Sequence, residues 1–202
     1  MNRKIEHIEE RRKTPISMAP IEVREDNSSL WRRPRVSGYA AVYYRKGDTA
    51  TEYSPDGFTE RIERGAFDRA LRENQDVVAL FDHDTRHLLG RTGAGTLELE
   101  SDERGLHYTI STADTTIARD VLANIRAGNL TGSSFAFVVR KEEWEELEDG
   151  TAIRTVKDVD LFDVGPVTKP AYDGTSTEAA AARGSLRLAK ARARKAIDDV
   201  TL

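Results

Sequence analysis

The stretch Leu130-Thr-Gly-Ser-Ser-Phe-Ala-Phe-Val-Val139 is the most apolar run in a chain of which 33% of the residues are charged. Its aromatic and β-branched residues predict a buried strand that continues to about Arg140. Gly132 precedes two hydroxyls, Ser133 and Ser134, at the mouth of that strand. Side chains alternate faces along a strand, so the two hydroxyls point opposite ways.

On the C-terminal side, Lys141 to Gly150 is acidic and ends in Glu-Asp-Gly, a hairpin turn signal. Ile153 to Asp160 reads as the partner strand, and Leu161 to Val167 continues or follows it. On the N-terminal side, apolar residues Ile117, Val121, Leu122 and Ile125 recur at helical spacing. They predict a helix from Thr116 to Ala127, capped by Thr115 or Asp114 and stopped at Gly128. A hairpin precedes it, Thr96 to Glu100 and Leu106 to Ile110, with clean alternation in both arms. Further strands are expected at Ile21 to Arg24, Val36 to Tyr44, Phe58 to Ile62 and Asp76 to Phe81. A short helix over Gly65 to Asn74 has Phe67, Ala70 and Leu71 on one face.

Seven or more short strands with two principal helices predict an α+β, mainly β fold. A closed or nearly closed β-barrel flanked by helices is the expected form. Residues 1–20 mix Arg3, Lys4, Arg11, Arg12 and Lys13 with Glu6, Glu9 and Glu10, show little apolar periodicity, and read as a flexible charged arm. Residues 21–175 read as the globular domain. Residues 176–202, rich in Ala and Arg, read as a basic helical tail. Trp31 and Trp144 read as surface or edge aromatics with no assigned role.

The length of 202 residues suits one domain with appendages. There is no cysteine, which excludes a disulfide framework, a thiolate nucleophile and a cysteine-ligated zinc. No run approaches the roughly 18 apolar residues of a membrane span, so a soluble, cytoplasmic protein with no membrane partner is expected. A net charge of −4 gives no support to nucleic-acid binding as the main task.

A serine nucleophile needs a base within hydrogen-bonding reach. His83 is the best placed of the four histidines, because only Asp82 separates it from the apolar run Val77 to Phe81. His7 lies in the arm, His87 in a loop and His107 in a hairpin strand. Asp163 is the unusual carboxylate, set inside Leu161-Phe-Asp-Val164. Strict alternation gives it the face of Val159 and Leu161, with Asp158 and Asp160 on the other. A carboxylate on an apolar face needs a partner, and an imidazolium would be one. These residues fit a Ser-His-Asp set, but they fit equally a strand-start serine, a loop histidine and an ion-paired aspartate. His83-x-x-x-His87 has the spacing of a helical zinc pair but lacks the following Glu and a helix signal. No metal or cofactor is assigned.

The ordered series Gly38-Tyr-Ala-Ala-Val-Tyr43, Glu63-Arg-Gly-Ala-Phe67, Phe81-Asp-His-Asp84, Leu89-Gly-Arg91, Gly105-Leu106, Gly132-Ser-Ser-Phe-Ala-Phe137 and Val164-x-x-Val-Thr-x-Pro-Ala171 resembles the prohead (procapsid maturation) serine proteases of tailed bacteriophages. That family is related to the herpesvirus assemblins. The resemblance spans roughly Val36 to Thr175. It implies a serine endopeptidase with Ser134 as nucleophile, His83 as base and Asp163, where relatives often carry Glu, as the acidic member. An oxyanion hole is required; backbone N–H groups near Ser134 or the Arg91 side chain are the options. The implied substrates are the major capsid protein, scaffold segments and the chain itself, with self-association allowed. The implied location is the assembling procapsid in the bacterial host cytoplasm. Self-cleavage near Ala179 to Gly184 would release the tail. The alternative is a catalytically inactive, scaffold-like capsid-assembly protein of the same fold.

Overall fold

The apolar run forms the N-terminal half of one of two long antiparallel strands around which the molecule is arranged. The computed structural model describes residues 9–15, 21–25, 34–55 and 57–168. In chain order the strands are β1 (Glu10–Pro15), β2 (Glu22–Glu25), β3 (Pro34–Val42), β4 (Thr59–Ile62), β5 (Val78–Leu80), β6 (Leu88–Arg91), β7 (Leu97–Ser101), β8 (Gly105–Ser111), β9 (Gly132–Glu146) and β10 (Ala152–Val167). Helix α1 (Asp68–Arg72) lies between β4 and β5, and α2 (Thr116–Arg126) between β8 and β9.

One sheet runs β1-β9-β10-β5-β6, with β4 also paired to β10; the other runs β2-β3-β8-β7. Among the described residues no ladder joins the two sheets, so the expected closed or nearly closed barrel is not seen. The sheets pack face to face instead, β3 against β1 and β9, and β6 against β8. The core between them holds Val36, Tyr108, Ile110, Phe135, Phe137 and Val164, each without exposed surface. Phe135 stacks on Phe137 with ring centroids 4.8 Å apart, and Phe67 meets Phe135 edge-on at 5.7 Å. This aromatic face is the reverse side of the strand that carries Ser134.

The mainly β, α+β reading holds. Helix α2 starts where expected: the Thr115 hydroxyl accepts the Ala118 N–H at 3.2 Å, and Ala118, Val121 and Leu122 are buried. Strand β9 runs further than expected, to Glu146, and forms with β10 a ribbon, flanked by β4, that ends in a turn at residues 147–151. On this ribbon Trp144 packs on Phe58 at 5.0 Å and joins a small second cluster with Ala152.

The reading of residues 1–20 as a flexible arm is corrected for residues 10–15. Glu10–Pro15 pairs antiparallel with β9 over the register Glu10↔Phe137 to Pro15↔Gly132. The charges of Glu10 and Arg12 are matched inside the fold rather than solvated. Arg12 donates to the fully buried Glu60 at 2.5 and 2.9 Å and to Glu10 at 2.7 Å. Arg154 donates to Glu10, Glu60 and Glu142 at 2.6–2.9 Å. Thr14 is buried and donates to the Ala40 carbonyl at 2.7 Å. Residues 1–8, the tail from 176 to 202 with its expected cleavage sites, His7 and Trp31 lie outside the described residues.

Burial alone would raise the Glu10 pKa. The Arg154 hydrogen bond and the charges of Arg154 and Arg12 outweigh it and hold the carboxyl down at about 2, against an ordinary 4.5. A depressed carboxylate stabilises the fold fully above its unfolded value and loses that contribution as pH falls through the folded one. Glu10→Gln is therefore expected to cost about 2–3 kcal/mol at neutral pH. In urea titrations the gap to wild type should narrow below pH 4.5 and close near pH 2.

Candidate active site

Three elements bring the candidate residues together. Ser134 is the third residue of β9, His83 sits in the turn after β5, and Asp163 lies on β10, which pairs with both strands. His83 Nε2 is 2.6 Å from Ser134 Oγ, and His83 Nδ1 is 2.5 Å from Asp163 Oδ1. Ser134 has no exposed surface, and the side chains of His83 and Asp163 are 6% and 8% exposed. An Nδ1–H donated to the carboxylate fixes the tautomer that leaves the Nε2 lone pair directed at the serine.

A β-bulge puts Asp163 in this position. Leu161 pairs with Phe137 on the core face, but Asp163 pairs with Ala136, so Phe162 has no partner and is pushed into solvent. The inserted residue reverses alternation beyond it. Asp163 therefore shares the face of Ser134, not that of Val159 and Leu161, and strict parity is overturned. Asp158 and Asp160 are taken by other partners. Arg69 donates to Asp158 at 2.9 Å and to Asp160 at 2.7 Å, and Gln75 and Arg140 also bind Asp160.

The other serine has a structural partner. Ser133 is buried on the core face with its hydroxyl 2.8 Å from that of Tyr108. Arg91 is engaged by Asp76 through both carboxylate oxygens. His87 faces the Phe81 ring and lies 3.8 Å from Asp84, so the two histidines of the i, i+4 pair have separate surroundings.

The His83 turn is held by residues to which the sequence reading assigned no task. Asp82 and His83 both adopt the left-handed region, with φ of 53° and 58°. Non-glycine residues there cost roughly 1 kcal/mol or more unless their surroundings hold them. Here the Asp82 N–H donates to the Pro166 carbonyl, and the Asp82 carboxylate accepts the Thr168 N–H and hydroxyl at 2.8 and 2.9 Å. Pro166 and Thr168, both within the motif quoted above, thus clamp the histidine turn to the end of β10.

Gly165 allows β5 to approach β10 at this point. A Cβ there would lie 2.0 Å from the Leu80 carbonyl oxygen. The obstacle is backbone and cannot rotate away. Gly165→Ala is expected to destabilise by about 4 kcal/mol or more, seen as a drop in the urea midpoint.

A family model described as caudovirus prohead serine protease matches residues 19–189. The chain belongs to this family. Family membership makes it a serine protease. Among solved structures, the bacteriophage T4 capsid assembly protease gp21 is similar in fold, with a TM-score of 0.54 at 11% identity over 80% of this chain and 98% of that one. None of the curated proteins matches the sequence significantly. In this prohead protease, β1 precedes the segment that the family model covers.

Proposed function

We propose that this chain is the serine endopeptidase of a phage procapsid, with Ser134, His83 and Asp163 as its catalytic triad. The observation that carries the reading is the unbroken hydrogen-bond line Asp163–His83–Ser134 at 2.5 and 2.6 Å. His83 takes the Ser134 proton as Oγ attacks a peptide carbonyl carbon. Asp163 orients the imidazole and offsets its positive charge. His83 then protonates the departing amine, the acyl-enzyme forms, and water attacks it with His83 again as base. The proposed substrates are capsid-protein and scaffold segments and the chain's own termini, cut within the assembling shell inside the host. Family membership and the converging side chains favour this over an inactive assembly protein.

The test is direct. Purified protein is incubated with its capsid-protein precursor and scaffold, and intact masses are followed. The expected result is discrete truncation that a serine-directed fluorophosphonate prevents. Precursor and scaffold that stay whole, or cuts that persist after complete serine modification, would overturn the proposal.

A further inference from the structure

Strand β10 is paired unevenly along the edge that faces away from β9. β4 pairs with its residues 153–156, and β5 with residues 163 and 164. Between them, among the described residues, no strand lies against this edge. The three register shifts of the β9–β10 ladder fall in the same stretch, between Val156 and Asp163. The backbone there still needs partners, because a buried N–H or C=O is rarely left without one. Two side chains, from α1 and from the turn that follows it, supply them. Arg69 donates to the Val159 carbonyl at 3.0 Å, and Gln75 Oε1 accepts the Leu161 N–H at 2.8 Å. Both side chains also bind Asp160, Arg69 at 2.7 Å and Gln75 through Nε2 at 3.0 Å. Gln75 is itself seated on the helix end, where its N–H donates to the Ala70 carbonyl at 3.2 Å.

We propose that Gln75 is a positioning residue for the triad: through the Leu161 N–H it fixes the β-bulge at Phe162 and so keeps Asp163 turned to His83. This rests on Asp163 being the acidic member. Leu161 is buried and immediately precedes the bulged residue. Its N–H points to Gln75 and away from β9, so no group of β9 can replace that oxygen. Arg69 anchors the strand earlier, at Val159, and leaves the bulge itself to Gln75. Alternation beyond the bulge decides the face that Asp163 takes. A bulge that slips past Asp163 carries the carboxylate off the face of Ser134. The 2.5 Å contact of Asp163 Oδ1 with His83 Nδ1 leaves no room for such a slip. Misplacing a catalytic group by about 1 Å costs about 100-fold in rate.

The rate at which a fluorophosphonate modifies Ser134 in the full-length protein reads the state of the triad. Gln75→Leu removes the acceptor and should slow modification about 100-fold. Gln75→Asn is one methylene shorter, falls short of the Leu161 N–H and should show the same loss; it serves if the leucine variant does not fold. Gln75→Glu keeps an oxygen for that N–H. It should react at nearly the wild-type rate although its charge beside Asp160 lowers the urea midpoint, which separates positioning from stability. Circular dichroism checks the fold of each variant. The deciding comparison is made in an Asp163→Asn background. There Gln75→Leu should add no more than about 2-fold, because residues that act through one another are not additive. Wild-type rates in Gln75→Leu and Gln75→Asn, or a loss of equal size in both backgrounds, would overturn the role of Gln75 and leave Asp163 in the triad. Asp163→Asn protein modified as fast as wild type would overturn the triad reading as well.

Discussion

Ser134→Ala is expected to lower kcat for peptide hydrolysis by about 10⁵–10⁶-fold, leaving only the residual rate that substrate binding and oxyanion stabilisation provide. The alanine removes one hydroxyl and opens no large cavity. Its stability should fall by no more than about 1 kcal/mol, because the lost bonds are those to His83 and the Arg12 carbonyl. Ser133→Ala is the informative contrast. Its hydroxyl is the partner of the buried Tyr108 hydroxyl, so this change should cost about 1–3 kcal/mol of stability and leave kcat within a few-fold. Intact masses of the two variants give the same comparison without an added substrate. Self-trimming should stop in Ser134→Ala and continue in Ser133→Ala.

Asp163→Asn should be nearly as severe, lowering kcat by about 10⁴-fold with the fold retained. The carboxylate lies 2.5 Å from His83 Nδ1 and accepts a hydrogen bond from its N–H. An amide in its place can present its NH₂ to that nitrogen, which favours the tautomer with the proton on Nε2, pointing at the serine instead of away from it. The imidazolium formed during attack also loses its counter-charge. Asp160→Asn separates this role from a general loss of acidity on β10. Asp160 is held by Arg69, Gln75 and Arg140, so its loss should lower the urea midpoint with little effect on kcat. A kcat–pH profile for each variant distinguishes the two roles.

Local pattern carried much of the fold. The apolar run became β9, the alternating hairpin became β7 and β8, and the 3.6-residue spacing with a threonine cap became α2, because each is specified by neighbours in sequence. His83 at the end of an apolar strand and the two serines on opposite faces were legible for the same reason. Three features were not. The β-bulge at Phe162 inserts one residue, and alternation rules have no means of marking where such an insertion falls. Strand β1 was hidden because Glu10 and Arg12 look like solvated charges; their buried partners Glu60 and Arg154 are far away in sequence. The period-two series Glu10, Arg12, Thr14 was the one local hint. Barrel closure depends on non-local pairing of sheet edges, and among the described residues the two sheets face each other without a ladder between them.

The most direct measurement is the identity of the residue that carries a fluorophosphonate adduct, determined by peptide mapping of the labelled full-length protein. The expected result is a single adduct on Ser134, absent in Ser134→Ala. An adduct on Ser133 or any other residue, or one that persists in Ser134→Ala, would contradict the assignment of Ser134 as nucleophile.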